Sequence, residues 1–361
     1  MADEKEEGWG NSPLKIIASP TQHIRMRPGM YLGGTHAGMQ HHLVYAVLDN
    51  ILENARAGRG DRFLVELDGN RVTILDNQPP FSLDKMGDGG VHQALDRALG
   101  ELDRGLDRGL ISEQQVRGSL VIVRALSETL RVTALYEGKY YTRSYRRGEP
   151  EHDWMFEVTP LPEGFTFSVS FEADSEIFDE VAFNRAGIEG RMEAMAATCT
   201  NLQGTIRSDD DIRAISMPGG MSDFLKVSFP KYGYHPTEPF QVVVRSEGLE
   251  FDLAIQWTHN PDDKSKFMSW ANSIRTSSGT HILGVEEALR EVGLDDVGHK
   301  IALSVFVPEP RYTQPTKSHL ANPEIRGLVR DHVTVALRRL LEDTGFALTL
   351  QEWRTQSPRT S

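Results

Sequence analysis

Apolar residues recur at helical spacing between His41 and Ala57. Val44, Val47, Leu48, Ile51 and Ala55 fall on one face, which predicts a helix with a buried stripe. Gly58 ends it. A second stripe, Ala46, Asn50, Glu53, Asn54 and Ala57, is partly polar and faces either solvent or a site. The period then changes. Phe63-Leu64-Val65-Glu66-Leu67 and Val72-Thr73-Ile74-Leu75 flank Asp68-Gly69-Asn70, the signature of a β-hairpin over residues 63–76.

Residues 95–110 carry a quasi-repeat of Leu-Asp-Arg at 95, 102 and 106, with Leu95, Leu99, Leu102, Leu106 and Leu110 on one helical face. Gly100, Gly105 and Gly109 weaken that helix, and its Asp and Arg read as a solvated face. Residues 118–173 read mainly as strand, with turns at Glu137-Gly138 and Glu163-Gly164, and a helix follows at 184–198. Composition shifts toward Gly, Pro and Tyr at 216–240, where a domain boundary is expected. Strands follow at 240–257, a helix at 284–292 and strands at 300–308. Pro323 to Asp343 is a strong amphipathic helix, with Ile325, Leu328, Val329, Ala336, Leu337, Leu340 and Leu341 inward and Gly345 as its cap. Intermixed hairpins and helices predict an α+β fold in both halves.

The chain has 361 residues, 39% hydrophobic and 25% charged, the proportions of a folded protein of two domains. A net charge of −13 disfavours general nucleic-acid binding. The single cysteine, Cys199, excludes an intramolecular disulfide and a cysteine-rich zinc site. The longest aliphatic run, Leu120 to Val123, is far short of a membrane span, and the acidic N-terminus is no secretory signal. A cytoplasmic location is expected.

Four ordered stretches carry a family resemblance. They are Ile24-Arg25-Met26-Arg27-Pro28-Gly29-Met30-Tyr31-Leu32-Gly33, His41-His42-Leu43-Val44-Tyr45-Ala46-Val47-Leu48-Asp49-Asn50, Trp270-Ala271-Asn272-Ser273-Ile274 through Gly279-Thr280-His281, and Val305 to Leu320 ending in Thr316-Lys317-Ser318-His319-Leu320. Together they resemble the N-terminal region of the DNA gyrase B subunit and its topoisomerase IV relatives. The resemblance implies a GHKL (Bergerat) α/β sandwich over 14–226 and a ribosomal-S5-like β-α transducer over 227–350. An acidic arm at 1–13 and a tail at 351–361 flank them. It further implies ATP and Mg²⁺ as cofactors, a homodimer, and a gyrase- or topoisomerase-type protein partner. Asp209-Asp210-Asp211 reads as an exposed acidic turn, not as a toprim metal cluster.

Within the implied site, Asn50 matches the magnesium ligand, Asp76 the adenine-binding aspartate, Thr166 its supporting threonine (one residue out of register), Gly118 a surviving glycine of the phosphate lid, and Lys317 the transducer lysine. For Lys317 an ordinary loop lysine is the alternative. Ala46 stands where the family has its general base, and alanine neither accepts a proton nor orients water. Asn77-Gln78-Pro79-Pro80 replaces a glycine turn, and Pro79 replaces an arginine. Gln115 to Val121 lacks most lid glycines, whereas Val123-Arg124-Ala125-Leu126-Ser127 keeps the helix behind them. Glu53 sits one turn too far along to replace the base.

These substitutions imply a pseudo-ATPase acting by dimerisation or by binding a topoisomerase. The alternative is the ATP-binding and hydrolysing subunit of a split or atypical type II topoisomerase. An acidic decoy for a DNA-binding surface is a third reading. His36, His41 and His42 read as structural, and Arg326, Arg330, Arg338 and Arg339 as a solvated basic face or a DNA-facing one.

Overall fold

The computed structural model describes residues 20–78, 90–99, 120–156, 159–229, 234–246, 248–258, 265–313 and 317–356. The expected first helix is α3 (His41–Arg56), preceded by α1 (Pro20–Met26) and α2 (Pro28–Leu32). The expected hairpin is β1 (Arg62–Asp68) and β2 (Arg71–Asp76), turning at Gly69 with φ 58°. Further along the chain come α4 (Gly90–Ala98), α5 (Leu120–Leu126), β3 (Ser127–Tyr136), β4 (Lys139–Arg146), β5 (Glu149–Pro150), β6 (Met155–Phe156) and β7 (Phe167–Ala173). The first part closes with α6 (Arg185–Thr198), β8 (Gln203–Ser208) and β9 (Asp211–Ser216). Its strands form a nine-stranded sheet in the order β5-β4-β3-β7-β2-β1-β8-β9, with β6 beside β4.

Among the described strands of that sheet only β1 and β8 pair in parallel, and the other neighbours are antiparallel. Each of these two strands follows a helix, α3 before β1 and α6 before β8. The two helix-strand units therefore lie side by side in the same sense. Their apolar faces and the strands' inner faces form one core, which includes Leu48, Ile51, Phe63, Val65, Val169, Phe171, Met192 and Ile206. Gly204 on β8 admits this packing, because a Cβ there would lie 2.6 Å from the Phe63 ring.

Residues 120–126 are helical, against the strand that the 118–173 pattern suggests and in line with the helix that the family resemblance implies at Val123–Ser127. All seven residues of α5 are buried. A helix covered on every side shows no 3.6-residue alternation, so its apolar run reads as a buried strand. Arg124 is tolerated inside because its guanidinium donates to the Gly148 and Leu99 carbonyls at 2.7 and 3.1 Å and lies over Tyr145.

The second sheet comprises β10 (Tyr234–Ser246), β11 (Leu249–Thr258), β12 (Lys266–Ala271), β13 (Ile274–Thr276) and β15 (Gly298–Phe306), in the order β10-β11-β15-β12-β13. Strands β12 and β13 were not expected. The last four residues of β12 are buried, so it too lacks a two-residue alternation. Helix α8 (Thr280–Glu291) starts four residues before its expected position. It packs with α9 (Pro323–Glu342) around Leu253, Trp257, Leu289, Val329 and Leu337. Leu328 points outward at 42% exposure, a correction to its expected inward position. Gly345 does not cap α9. The helix ends at Asp343, whose Oδ1 accepts from Gly345 N at 2.8 Å and so starts α10 (Thr344–Gln356). A short parallel pair, β14 (Ser278–Gly279) with β16 (His319–Leu320), completes the described strands.

Helix α7 (Met221–Ser228) joins the two sheets. Phe224 meets Trp270 edge-on at 4.9 Å, and Ala254, Met268, Trp270 and Ala302 of the second sheet belong to the first sheet's core. The mixed α+β architecture thus has an apolar junction between its halves. No described helix is long and apolar enough to cross a membrane.

Candidate nucleotide site

The partly polar stripe of α3 carries the first candidate residues. Ala46 is 3% exposed. Asn50, one turn on, is half-buried, and its Nδ2 donates to the Ala46 carbonyl at 2.9 Å. That bond fixes the amide and presents Oδ1 as its ligand-capable atom. A further turn along, Glu53 is exposed. Loss of hydration against the protein surface and the nearby Asp49 carboxylate raise its pKa, while Arg59 and Lys317 pull it down. Lys317 is therefore close enough to α3 for its charge to be felt there.

Asp76 ends β2 and is 4% exposed. Burial pushes its carboxyl up to about 7, against the pull of the Gln78 and Asn77 backbone N–H groups. Beside it, Thr166 N donates to the Asp76 carbonyl at 2.9 Å. The Thr166 hydroxyl is buried and has no hydrogen-bond partner. A buried hydroxyl without a partner costs stability, and this one belongs to the residue whose N–H is bonded to the Asp76 carbonyl. Motif alignment alone sets Thr166 one residue out of register. The antiparallel pairing of Asp76 with Phe167 nevertheless brings it to the aspartate.

The replaced glycine turn has a structural use that the sequence did not reveal. Asn77 Oδ1 accepts from Asp61 N and Arg62 N at 3.2 and 3.3 Å, and its Nδ2 donates to the Asp61 carboxylate at 2.8 Å. Gly60, at φ 73°, makes room, since a Cβ there would lie 2.8 Å from Asn77 Oδ1. Pro79, Gly118 and the lid stretch from Gln115 to Ser119 lie outside the described residues, as do Leu102, Leu106 and Leu110 of the quasi-repeat.

Lys317 adopts a left-handed backbone (φ 56°) just before β16. The loop's end is pinned: Ser277 N donates to the Ser318 carbonyl at 3.0 Å, and Ser278 Oγ and His319 Nδ1 share a 2.7 Å hydrogen bond. Gly279 is needed at this seam, with φ 142° and a virtual Cβ 2.7 Å from the Leu320 carbonyl. His281 is fully buried, bonded through Nε2 to Thr276 Oγ1 at 2.9 Å, and burial lowers its pKa to about 3. It is a neutral structural residue that props this seam.

Sequence reasoning missed two arginines. Arg191 of α6 donates through Nη2 to Asp49 and through Nη1 to the Ser273 carbonyl at 2.8 Å. Arg56 of α3 donates to the Thr198 carbonyl at 3.3 Å, pairs with Glu250 at 3.2 Å and lies 4.0 Å over Phe306. Both link the first sheet's helices to the second sheet. No short motif contains either contact.

The remaining candidates have ordinary roles. His41 Nδ1 bonds the Gly38 carbonyl and its Nε2 accepts from Asn184 N, which ties α3 to the start of α6. Asp209 to Asp211 form an exposed turn with Asp211 paired to Arg185. No group of three metal-ligating side chains occurs among the described residues. Arg326, Arg330 and Arg338 are matched by Glu287, Asp331 and Glu291, which cancels most of the basic face of α9. In the quasi-repeat, Leu95 and Leu99 are buried. Asp96 is not simply solvated, because it accepts from Trp154 Nε1 at 2.8 Å and pairs with Arg143.

The chain matches no protein-family profile. It is 30% identical to the chloroplastic/mitochondrial DNA gyrase B protein of Nicotiana benthamiana, covering 94% of this chain and 51% of that protein. It is 30% identical to the DNA topoisomerase 4 B protein of Rickettsia bellii over 86% of this chain and 52% of that protein. It spans about half the length of these relatives. Among solved structures, the 43K ATPase domain of Thermus thermophilus gyrase B, crystallised with an aminocoumarin, superposes with a TM-score of 0.74 at 25% identity and covers 94% of both chains. Over most of its length the chain is a homologue of the B subunits of DNA gyrase and topoisomerase IV, and its fold is that of gyrase B's GHKL ATPase region.

Proposed function

We propose that this chain is a gyrase-B-type nucleotide clamp without its general base: a pseudo-ATPase that acts by dimerising or by binding a topoisomerase-type partner. The observation that carries the reading is Ala46, whose side chain offers no proton acceptor and is buried one turn before Asn50. Asp76 and Thr166 would hold adenine, Asn50 would ligate Mg²⁺ through Oδ1 and phosphate-bound waters, and Lys317 would meet the γ-phosphate as a point charge. Bound ATP would supply the phosphoanhydride. The chain's residues would bind and orient it without activating water. Removal of a base lowers such rates by ~10²–10⁴. The reading puts the sandwich at 14–226 and the transducer at 227–350, in a cytoplasmic homodimer.

The second reading, an ATP-hydrolysing subunit of a split type II topoisomerase, is favoured by the joint retention of Asn50, Asp76 and Lys317. Calorimetric titration with AMPPNP and Mg²⁺ tests the site, with Asn50→Ala, Asp76→Ala as control. Micromolar binding lost in the double variant is expected. No heat from the folded protein would remove the clamp. ATP turnover above the double variant's background would favour the second reading.

A further inference from the structure

We infer that α3 and α6 form a two-rung brace that holds the second sheet against the first without nucleotide, with Arg191 as its central tie. The rungs are in register. Asp49 meets Arg191, and seven residues further along each helix Arg56 meets Thr198. Two parallel helices seven residues apart per rung keep both contacts on one shared seam. Each rung continues into the second sheet. The Arg191 guanidinium goes on to the Ser273 carbonyl, and Arg56 to Glu250 and Phe306.

The acceptor of the first rung is itself fixed. Asn272 and Ser273, at φ 48° and 65°, form the tight turn between β12 and β13. The Asn272 side chain exchanges two hydrogen bonds with the Val307 backbone at 2.8 and 3.0 Å. Planar, multidentate arginine suits such a three-way tie, because one guanidinium serves several acceptors at set angles. Glu53 lies between the rungs on the same face of α3, and the Lys317 charge acts on it. Beyond the Ser273 turn that Arg191 holds, Ser277 N donates to the Ser318 carbonyl and Ser278 Oγ bonds His319 Nδ1, so the brace also sets Lys317 in place relative to α3. In this chain a nucleotide would find the two halves already closed, where otherwise it would have to draw them together. The inference deepens the clamp reading by naming how its site is preset. It rests on that reading only in the nucleotide arm of the test.

The molecule contains its own reporter. Cys199, the single cysteine, is 7% exposed and lines a cleft of about 240 Å³ between α6 and the second sheet, with Arg56, Glu250 and Phe306. The experiment is the rate of Cys199 alkylation by N-ethylmaleimide in the 361-residue chain, with X-ray scattering in parallel. Wild type should react slowly, changing less than about two-fold with AMPPNP and Mg²⁺, while Arg191→Met should react about ten-fold faster with a larger radius of gyration. Asp49→Asn, which keeps the side chain's shape, should accelerate alkylation about three-fold and decides the matter if Arg191→Met fails to fold. A folded Arg191→Met that reacts at the wild-type rate overturns the brace. So does fast alkylation with an unchanged radius, which would mean local fraying of α6. Strong slowing of the wild type by AMPPNP also overturns it, since nucleotide would then be closing the seam. If calorimetry finds no AMPPNP binding, the clamp reading falls, and the variants still decide the brace.

Discussion

Arg191 and Asp49 face each other across two parallel helices, and the same guanidinium reaches the Ser273 carbonyl of the second sheet at 2.8 Å. The arginine side chain is 16% exposed and its Nε has no partner. Asp49→Ala would leave a largely buried cation with a single acceptor. Breaking such a pair from one side costs about 2–3 kcal/mol, and urea unfolding at pH 7 should show that loss. A change near zero would mean that the pair is solvated in practice.

A comparable argument applies to Arg25. It donates to the Ala125 carbonyl at 2.7 Å and to Asp174 at 2.6 Å, and Asp174 is fully buried. The pair anchors α1 to the end of α5. Arg147 Nε, 3.9 Å from Asp174, offers partial compensation. Arg25→Ala should therefore cost about 2 kcal/mol at pH 7. Urea unfolding of the variant and the wild type at pH 7 measures the loss.

Arg25 lies in a motif and Arg191 does not, and this separates what the sequence revealed from what it hid. Helix α3, the β1–β2 hairpin, α6 and α9 were legible because each has one wet face and one dry face, so the period shows. Helix α5 and strand β12 show no such period, because burial erases it, and the end of α5 was legible only through the family resemblance of Val123 to Ser127. Asp76, Asn50 and Lys317 could be named from their motifs. The Thr166 hydroxyl's position depended on strand register, which single-residue alignment across a loop misses. Arg191 and Arg56 act across 142 and 194 residues of sequence, and only the folded chain brings their partners together.

Asp76 gives a pH signature. Its folded pKa of about 7 lies above its ordinary value of 3.8, so the folded state keeps a proton that the unfolded chain sheds between those values. Its contribution to stability is fully present below the unfolded pKa, declines as pH rises through the window, and is lost above about 7. The total is about 2–4 kcal/mol. Asp76→Asn should remove this slope and be the more stable protein at pH 8. In the clamp reading, AMPPNP binding by wild type should strengthen from pH 6 to pH 8 as the carboxylate ionises, and the variant should show no such trend. Calorimetry at three pH values distinguishes them.

Lys317 should matter for the third phosphate and not for the base. In the clamp reading, Lys317→Met lowers affinity for AMPPNP by about ten-fold while leaving ADP nearly unchanged, the size of one charge-assisted contact. The same substitution removes the positive charge that pulls down the Glu53 pKa, so Glu53 should titrate higher in the variant. Equal losses for AMPPNP and ADP would indicate a disturbed loop. No loss at all would leave Lys317 an ordinary loop residue.

The last prediction concerns the missing base. Asn50 Nδ2 is bonded to the Ala46 carbonyl, so the backbone at both positions already has the geometry of one helical turn. At this position the departure from the family pattern lies in the side chain alone. Wild-type protein should show no ATP turnover above the Asn50→Ala, Asp76→Ala background. Ala46→Glu places a carboxylate one turn before Asn50, and a positioned base contributes ~10²–10⁴ in rate. Turnover should therefore rise above background in Ala46→Glu and stay at background in Ala46→Gln, which has the same length but cannot accept a proton. Ala46 is 3% exposed, so folding of both variants is checked by circular dichroism, and the glutamine variant serves as the steric control. If folded Ala46→Glu binds AMPPNP but does not turn over ATP, the departures at Pro79 and in the stretch from Gln115 are the stronger block. If wild type itself turns over ATP, the pseudo-ATPase reading fails and the split-topoisomerase reading takes its place.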